Sequence, residues 1–215
     1  MSRHRRWLVF TLTIFALLFL AMGYWGRWVA HPAAGLNVLG VDLPEYVKFV
    51  PEARYGVIPI NRLVFFAVPV SLALGLILFA SMRMPVLVWL RGLAGLLAVP
   101  VALSMLPPAW TPGLLMTPEF RAQTLTIMAL IAAAFLIPLW KQLLPDWLRG
   151  GLFILLGLSP LPALSAFFKL LPALGKLYNH SLKPGPGVGW TLLGMGLLAI
   201  AGALLILVDK RAAAH

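Results

Sequence analysis

The sequence predicts an all-α integral membrane protein: a single transmembrane domain over residues 1–215, with about six membrane-spanning helices. Of its 215 residues, 61% are hydrophobic and only 11% are charged, against roughly 45–50% and roughly 25% in soluble domains. The apolar residues form long runs, each close to the length that a helix needs to cross a bilayer. The basic residues lie between these runs, where they fix membrane orientation.

The apolar runs set the expected spans. They place membrane-spanning helices at about residues 7–24, 63–80, 85–106, 122–140, 151–174 and 190–208. The first run is longer than the apolar core of a signal peptide and is not followed by a small-residue cleavage site, so we interpret it as a retained signal anchor. The second and third runs are joined by a short link around Arg83, which predicts an antiparallel helical hairpin.

The fourth and fifth spans have distinctive ends. Thr117-Pro118-Glu119 precedes the fourth span and has the pattern of a helix start. Within the fifth span, Pro160 and Pro162 each remove a backbone donor and clash with the preceding turn. The sequence therefore predicts a kink or break near Ser159, and leaves open whether this helix is continuous, kinked or re-entrant.

The basic residues predict the orientation. Arg3, Arg5 and Arg6 precede the first span, and such a cluster normally stays on the cytoplasmic side. With six spans, both termini are then cytoplasmic, in a plasma (inner) membrane. The net charge of +11 is spread along the chain and not clustered on one soluble face, so we expect the lipid bilayer as a partner and no nucleic acid.

The first outer loop, residues 26–62, is long for a connection without a role. Asp42 and Glu45 stand at capping positions of a predicted amphipathic surface helix at about residues 43–50. Its apolar face comprises Leu43, Tyr46, Val47 and Val50. This helix is either a structural lid over the bundle or a docking or ligand-gating element. The second interpretation uses the charged residues Asp42, Glu45, Glu52 and Arg54.

Three polar residues inside or beside the spans are further candidates. Arg91 lies near the cytoplasmic edge of the third span, where an arginine either snorkels to the head groups or has a functional role. Lys169 is an interfacial anchor if the fifth helix is continuous, and faces a cavity if it is re-entrant. Ser159 marks the predicted break, a feature found at the substrate sites of transporters.

Small residues at four-residue spacing predict close helix packing, either within the bundle or against another subunit. They are Ala67, Ser71 and Gly75 in the second span, Ala129 and Ala133 in the fourth, and Ala199 and Ala203 in the sixth.

No catalytic motif, metal site or cofactor motif is present, and the chain has no cysteine. The four histidines, at positions 4, 31, 180 and 215, are scattered. We therefore expect no enzyme but a non-catalytic subunit or accessory component of a larger membrane complex, with a protein partner in the membrane. The alternative is a transport permease, possibly driven by a separate ATPase. A third hypothesis is a membrane enzyme that uses the outer-loop acids.

Overall fold

The computed structural model describes residues 3–31, 37–82, 88–108 and 110–212. Over these residues the chain is largely helical, with one small sheet. The α-helices are α1 (Arg3–Trp25), α2 (Leu43–Tyr46), α3 (Pro51–Arg54), α4 (Ala67–Ala80), α5 (Val88–Leu103), α6 (Pro112–Leu115), α7 (Arg121–Phe135), α8 (Ile137–Leu143), α9 (Asp146–Leu158), α10 (Leu161–Leu177) and α11 (Pro186–Ala212). Short 3-10 turns occupy Gly40–Asp42, Val47–Phe49 and Arg62–Phe66.

Four helical stretches among the described residues are long and apolar enough to cross a membrane. They are Arg6–Trp25, Arg62–Ala80, Asp146–Leu177 and Pro186–Leu207. The bent pair α7 and α8 makes a fifth if the two helices count as one span. Helix α5 is apolar but has only 16 residues. The predicted link around Arg83 lies outside the described residues.

The fourth predicted span, 122–140, is not one straight helix. Helices α7 and α8 meet at an angle of 69° around Leu136. Pro138 explains the bend, because it lacks a backbone N–H and its ring cannot sit over the carbonyl four residues earlier. The start also differs from the sequence pattern: α7 begins at Arg121, and the Thr117 hydroxyl donates to the Leu114 carbonyl oxygen instead of capping the helix.

The break in the long apolar stretch Asp146–Leu177 is short. Helix α9 ends at Leu158, and α10 begins at Leu161 after a turn of two residues. The Ser159 N–H still donates to the Leu155 carbonyl oxygen, at 2.9 Å. The helical path therefore continues through the turn.

Helix α4 lies at the centre of the bundle, with buried residues on all sides and contacts to α1, α5, α7 and α9. Helix α11 packs along both α1 and α9. Ser71 of α4 donates a hydrogen bond of 2.7 Å to the Leu156 carbonyl oxygen of α9. A polar side chain thus ties two helices together inside an apolar core, where no water competes for the bond.

Glycines set the spacing of α11 from its two neighbours. A Cβ atom added at Gly150 of α9 would lie 2.6 Å from the Gly202 carbonyl oxygen of α11, and one added at Gly157 would lie 2.8 Å from the Met195 carbonyl oxygen. On the other side of α11, a Cβ at Gly194 would lie 2.7 Å from the Leu20 amide nitrogen of α1. These positions allow the helix backbones to touch, which no larger residue would permit.

A three-stranded antiparallel sheet closes one end of the bundle. Its strands are β1 (Arg27–Ala30), β2 (Val38–Leu39) and β3 (Lys183–Pro184), in the order β2-β1-β3. We call this the sheet end. It joins the exit of α1 to the entry of α11, and the fully buried indole of Trp28 donates to the Gly23 carbonyl oxygen, at 2.9 Å.

Candidate functional site

Charged side chains from three separate segments meet at the sheet end. Glu45 comes from α2, Lys48 from the following 3-10 turn, Arg62 from the turn that leads into α4, and Glu119 from the turn before α7. Together with Phe120 and Gln123 they form a set that we call the cap network. Its members span 78 positions of the sequence, from Glu45 to Gln123, so only the folded chain assembles it.

The ion pairs of the cap network are reciprocal. Lys48 Nζ lies 2.7 Å from Glu45 Oε2 and 2.6 Å from Glu119 Oε1. Arg62 Nη1 lies 3.0 Å from Glu45 Oε1, so both oxygens of Glu45 face a cation. The two cations and two anions cancel, and the network has no net charge.

Arg62 connects the cap network to α7. Its Nη2 donates to the Glu119 carbonyl oxygen at 2.7 Å, and its Nη1 donates to Gln123 Oε1 at 3.2 Å. The side chain is only 12% exposed, so its charge depends on these acceptors. Gln123 in turn donates to the Met105 carbonyl oxygen just after α5. One chain of hydrogen bonds therefore holds the first loop, α7 and the end of α5 together.

Phe120 fills the space beneath the two cations. Its ring centre lies 4.6 Å from Lys48 Nζ and 4.8 Å from Arg62 Cζ, within the range of cation–π attraction. The hydrogen bond from Lys48 also holds the pKa of Glu119 below its usual range, although partial burial opposes this, and the nearby positive charges act in the same direction as the bond. Glu119 therefore stays ionised at neutral pH.

Two of the four candidate residues of the first loop, Asp42 and Glu45, were expected to cap a helix. Asp42 is exposed and makes no capping hydrogen bond. Glu45, expected at the reciprocal capping position, points into the cap network instead. The capping explanation of these two acids is thus wrong, because α2 continues directly from the 3-10 turn Gly40–Asp42 and does not begin at a free N-terminus.

The other two candidates of the loop lie on α3. Glu52 is half-buried, and its carbonyl oxygen accepts from the Ile58 N–H at 2.9 Å. Arg54 is exposed at the end of α3, beside a shallow hollow of about 540 Å³ that Lys48 and Arg62 also line. Neither side chain joins the ion pairs of the cap network.

Ser159, Lys169 and Arg91 do not converge on one site. Ser159 donates to the Leu156 carbonyl oxygen at 3.0 Å and lines a groove of about 260 Å³ between α4 and α7, beside Gln123. Lys169 is exposed on α10. Arg91 is half-buried and donates to the Met82 carbonyl oxygen, so it links the end of α4 to the start of α5.

The seven predicted packing residues have different environments. Ser71 and Gly75 face other helices, and a Cβ at Gly75 would lie 2.7 Å from Leu17 of α1. Ala199 is half-buried against Gly157 of α9. Ala67 lines the groove beside Ser159. The remaining three are Ala129 and Ala203, which are exposed, and Ala133, which is half-buried.

The sequence analysis did not predict a buried arginine at the opposite end of the bundle. Arg149 of α9 is 0% exposed, and its Nη1 lies 2.6 Å from Asp146 Oδ1. Its Nη2 donates to the carbonyl oxygens of Lys141 and Trp140 in α8, at 3.2 and 3.4 Å. It therefore fixes the corner between α8 and α9. The spacing of Asp146 and Arg149, three residues apart at a helix start, is the signal that could have identified this pair.

Two more contacts at the sheet end could not be read from local spacing. The hydroxyl groups of Tyr46 and Tyr178 are hydrogen-bonded to each other and tie α2 to the end of α10. The rings of His31 and His180 lie 5.5 Å apart between centres. Among the described residues, no group of three or more His, Asp or Glu side chains lies close enough to hold a metal ion.

The chain was also compared with known proteins. No protein-family model, curated protein or solved structure matches it.

Proposed function

We propose that this chain is a six-span membrane protein that acts as a non-catalytic subunit or accessory component of a larger membrane complex. The observation that carries the proposal is that the polar side chains of the cap network pair with one another. In the cap network each carboxylate lies beside a cation. The Arg62 guanidinium also donates hydrogen bonds to Gln123 and to the Glu119 carbonyl oxygen. Such an arrangement stabilises a fold, but it leaves no acid or base poised for a substrate.

The buried hydroxyl groups support the same interpretation. Thr13, Ser81 and Thr191 are 0% exposed, and each donates to a carbonyl oxygen of its own helix three or four residues earlier. Ser71 donates to a neighbouring helix. A polar route through a membrane needs groups that face water, whereas these four face the backbone.

The six-span topology rests on five candidates and one shorter helix. Besides the four long stretches and the bent pair, α5 is about 24 Å long at 1.5 Å per residue, slightly less than the hydrocarbon core. The predicted span 85–106 is longer than α5, which ends at Leu103 and is followed by a turn. Tyr24 at the end of α1 hydrogen-bonds with Ser104 just after α5. The contact places the end of α5 near the sheet end. It therefore supports an antiparallel arrangement in which α4 leaves the sheet end and α5 returns to it.

We propose that the sheet end faces outward and that both termini are cytoplasmic in a plasma (inner) membrane, with α1 as a retained signal anchor. The support is the cluster Arg3, Arg5 and Arg6. The helical segment 40–49 would then lie at the outer surface. Leu43 and Val47 are buried against the bundle, while Phe49 is 72% exposed.

A transport permease is the second candidate, and the groove at the helix interruption favours it. Ser159 and Gln123 line this groove at the point where the regular α9 helix ends. Transporters bind substrates at such interruptions. Ser165 and Lys169, however, are exposed on α10 and do not line the groove.

Site-specific photo-crosslinking followed by mass spectrometry tests the subunit proposal. A photoreactive residue would replace, one at a time, exposed apolar side chains on four helices: Phe15 of α1, Leu96 of α5, Phe135 of α7 and Leu193 of α11. Phe153, which is fully buried, is the control position. We expect a discrete protein adduct from one face in native membranes. Adducts with lipid alone at all four positions, together with a monomer after gentle detergent extraction, would refute the proposal.

A cysteine-accessibility assay tests the second candidate. The permease hypothesis requires that a water-soluble thiol reagent reach a cysteine at Ser159 or Gln123, in a chain that has no other cysteine. Protection of both positions from both sides of the membrane would exclude a water-accessible route. A cysteine at exposed Lys176 is the positive control for labelling.

A further inference from the structure

Two histidines far apart in sequence meet at the sheet end. His31 follows directly after β1, and His180 lies in the loop between α10 and β3. Strands β1 and β3 pair in antiparallel register, with Ala30 opposite Lys183. The pairing brings the two imidazole rings to 5.5 Å between centres, with their planes at 69°.

The spacing suits two ligands of one metal ion. An ion about 2.1 Å from a ring nitrogen lies about 3.2 Å from the ring centre, so two imidazoles that share a tetrahedral ion have centres about 5.2 Å apart. The observed separation is 5.5 Å. The observed separation therefore differs by a few tenths of an ångström from that of two imidazoles on one ion.

Backbone hydrogen bonds hold the chain at both histidines. The His31 N–H donates to Asn37 Oδ1 at 3.0 Å, and the His180 N–H donates to the Gly175 carbonyl oxygen at 3.0 Å. Between β3 and α11, the Gly185 N–H donates to the Trp28 carbonyl oxygen at 2.7 Å. Asn179 adopts a positive φ of 49°, which turns the chain sharply just before His180.

Solvent can complete the coordination. His180 is exposed and borders a hollow of about 500 Å³ that Asn179 and Ser181 also line. The ring of Tyr178 lies 5.5 Å from that of His31, but its hydroxyl is engaged with Tyr46. Water would fill the positions that the two imidazoles leave open.

We propose that His31 and His180 bind one divalent transition-metal ion of the class that prefers imidazole, of which Zn²⁺ is the test ion. The site stands apart from the proposed function and does not depend on it. Because two protein ligands are fewer than in structural zinc sites, and because Lys176 and Lys183 add positive charge nearby, we expect a dissociation constant of about 10 μM. The bound ion would link the end of β1 to the loop before β3.

The test is a calorimetric titration of the untagged, chelator-treated full chain in detergent with ZnCl₂. We expect one ion per chain. His31→Ala and His180→Ala should each weaken binding at least tenfold. His4→Ala is the matched control, because His4 lies in the first turn of α1, about 30 Å along that helix from its end near the sheet. MgCl₂, a cation that prefers oxygen ligands, should not bind.

Thermal unfolding with and without ZnCl₂ guards against variants that fail to fold. Zn²⁺ should raise the melting temperature of the parent chain and of His4→Ala, but not that of a folded His180→Asn variant. Binding that survives both His31→Ala and His180→Ala, or no saturable binding up to about 1 mM ZnCl₂, would overturn the proposal.

Discussion

Replacing Gly150 with alanine should destabilise the bundle even though alanine favours helices. The new Cβ atom would lie 2.6 Å from both the Gly202 carbonyl oxygen and Ile206 Cγ1, where a carbon and an oxygen normally stay about 3.3 Å apart. Helices α9 and α11 must then separate by about 0.7 Å. Overpacking of this kind costs about 1–3 kcal/mol, and alanine returns about 1 kcal/mol of helix propensity. We expect a net loss of up to about 2 kcal/mol.

Thermal unfolding in detergent, followed by intrinsic tryptophan fluorescence, measures the effect. A loss of this size lowers the melting temperature by up to about 8 °C for a chain of this length. Gly151→Ala and Gly196→Ala are the matched controls, because a Cβ at either position meets nothing within 4 Å. Both should be neutral or stabilising. If Gly150→Ala stabilises the protein as much as Gly151→Ala does, the backbones of α9 and α11 are not in contact and the reasoning fails.

Three further predictions concern charged residues. Arg62→Gln should lower the free energy of unfolding by about 1–3 kcal/mol, because Glu45 loses the Arg62 guanidinium, which is only 12% exposed. The control Arg54→Gln lies at an exposed position outside the cap network and should change the free energy of unfolding by less than about 0.5 kcal/mol. Equal effects of the two substitutions in chemical denaturation would contradict the cap network. The pKa of Glu119 is lower in the folded protein than in the unfolded chain. The ionised carboxylate therefore stabilises the folded protein above the unfolded pKa of about 4.3, and this contribution is lost as the pH falls through the folded pKa. Between pH 7 and pH 3, the melting temperature of Glu119→Gln should fall slightly less than that of the parent chain. Asp146→Asn removes the carboxylate that lies 2.6 Å from the fully buried Arg149 and should lower the free energy of unfolding by about 1.5–3 kcal/mol. Arg149→Met should cost less, because the Asp146 carboxylate that it leaves behind is 40% exposed and stays hydrated. The reverse order would show that Arg149 does not depend on this pair.

The long helices could be predicted from the sequence because each depends on a local property, an uninterrupted apolar run. Helices α1 and α11 and the stretch Arg62–Ala80 follow the expected spans closely. The bend between α7 and α8 was missed although Pro138 is visible in the sequence, because a proline in an apolar run is compatible with a mild kink as well as with a bend of 69°.

The cap network could not be predicted, because it depends on which loops meet. Glu45 and Lys48 are three residues apart, and that pair was readable, but Arg62 and Glu119 joined them only after folding. The packing rule was also incomplete. It selected alanines, Ser71 and Gly75 at four-residue spacing, whereas helix backbones also come into contact at Gly150, Gly157 and Gly194. Spacing identifies a small face, but it does not say which neighbour approaches.

The contact between α1 and α11 also constrains how the chain is made. Leu20 and Gly194 are 174 positions apart in the sequence. In the proposed topology, α1 therefore enters the membrane long before its main partner has been synthesised. Meanwhile its small residues face lipid or a chaperone, and the strand β1 lacks the strand β3 that will pair with it. Assembly of the bundle therefore waits for the arrival of α11. A chain that stalls before α11 would expose this unfinished surface, and membrane quality-control proteases could recognise it.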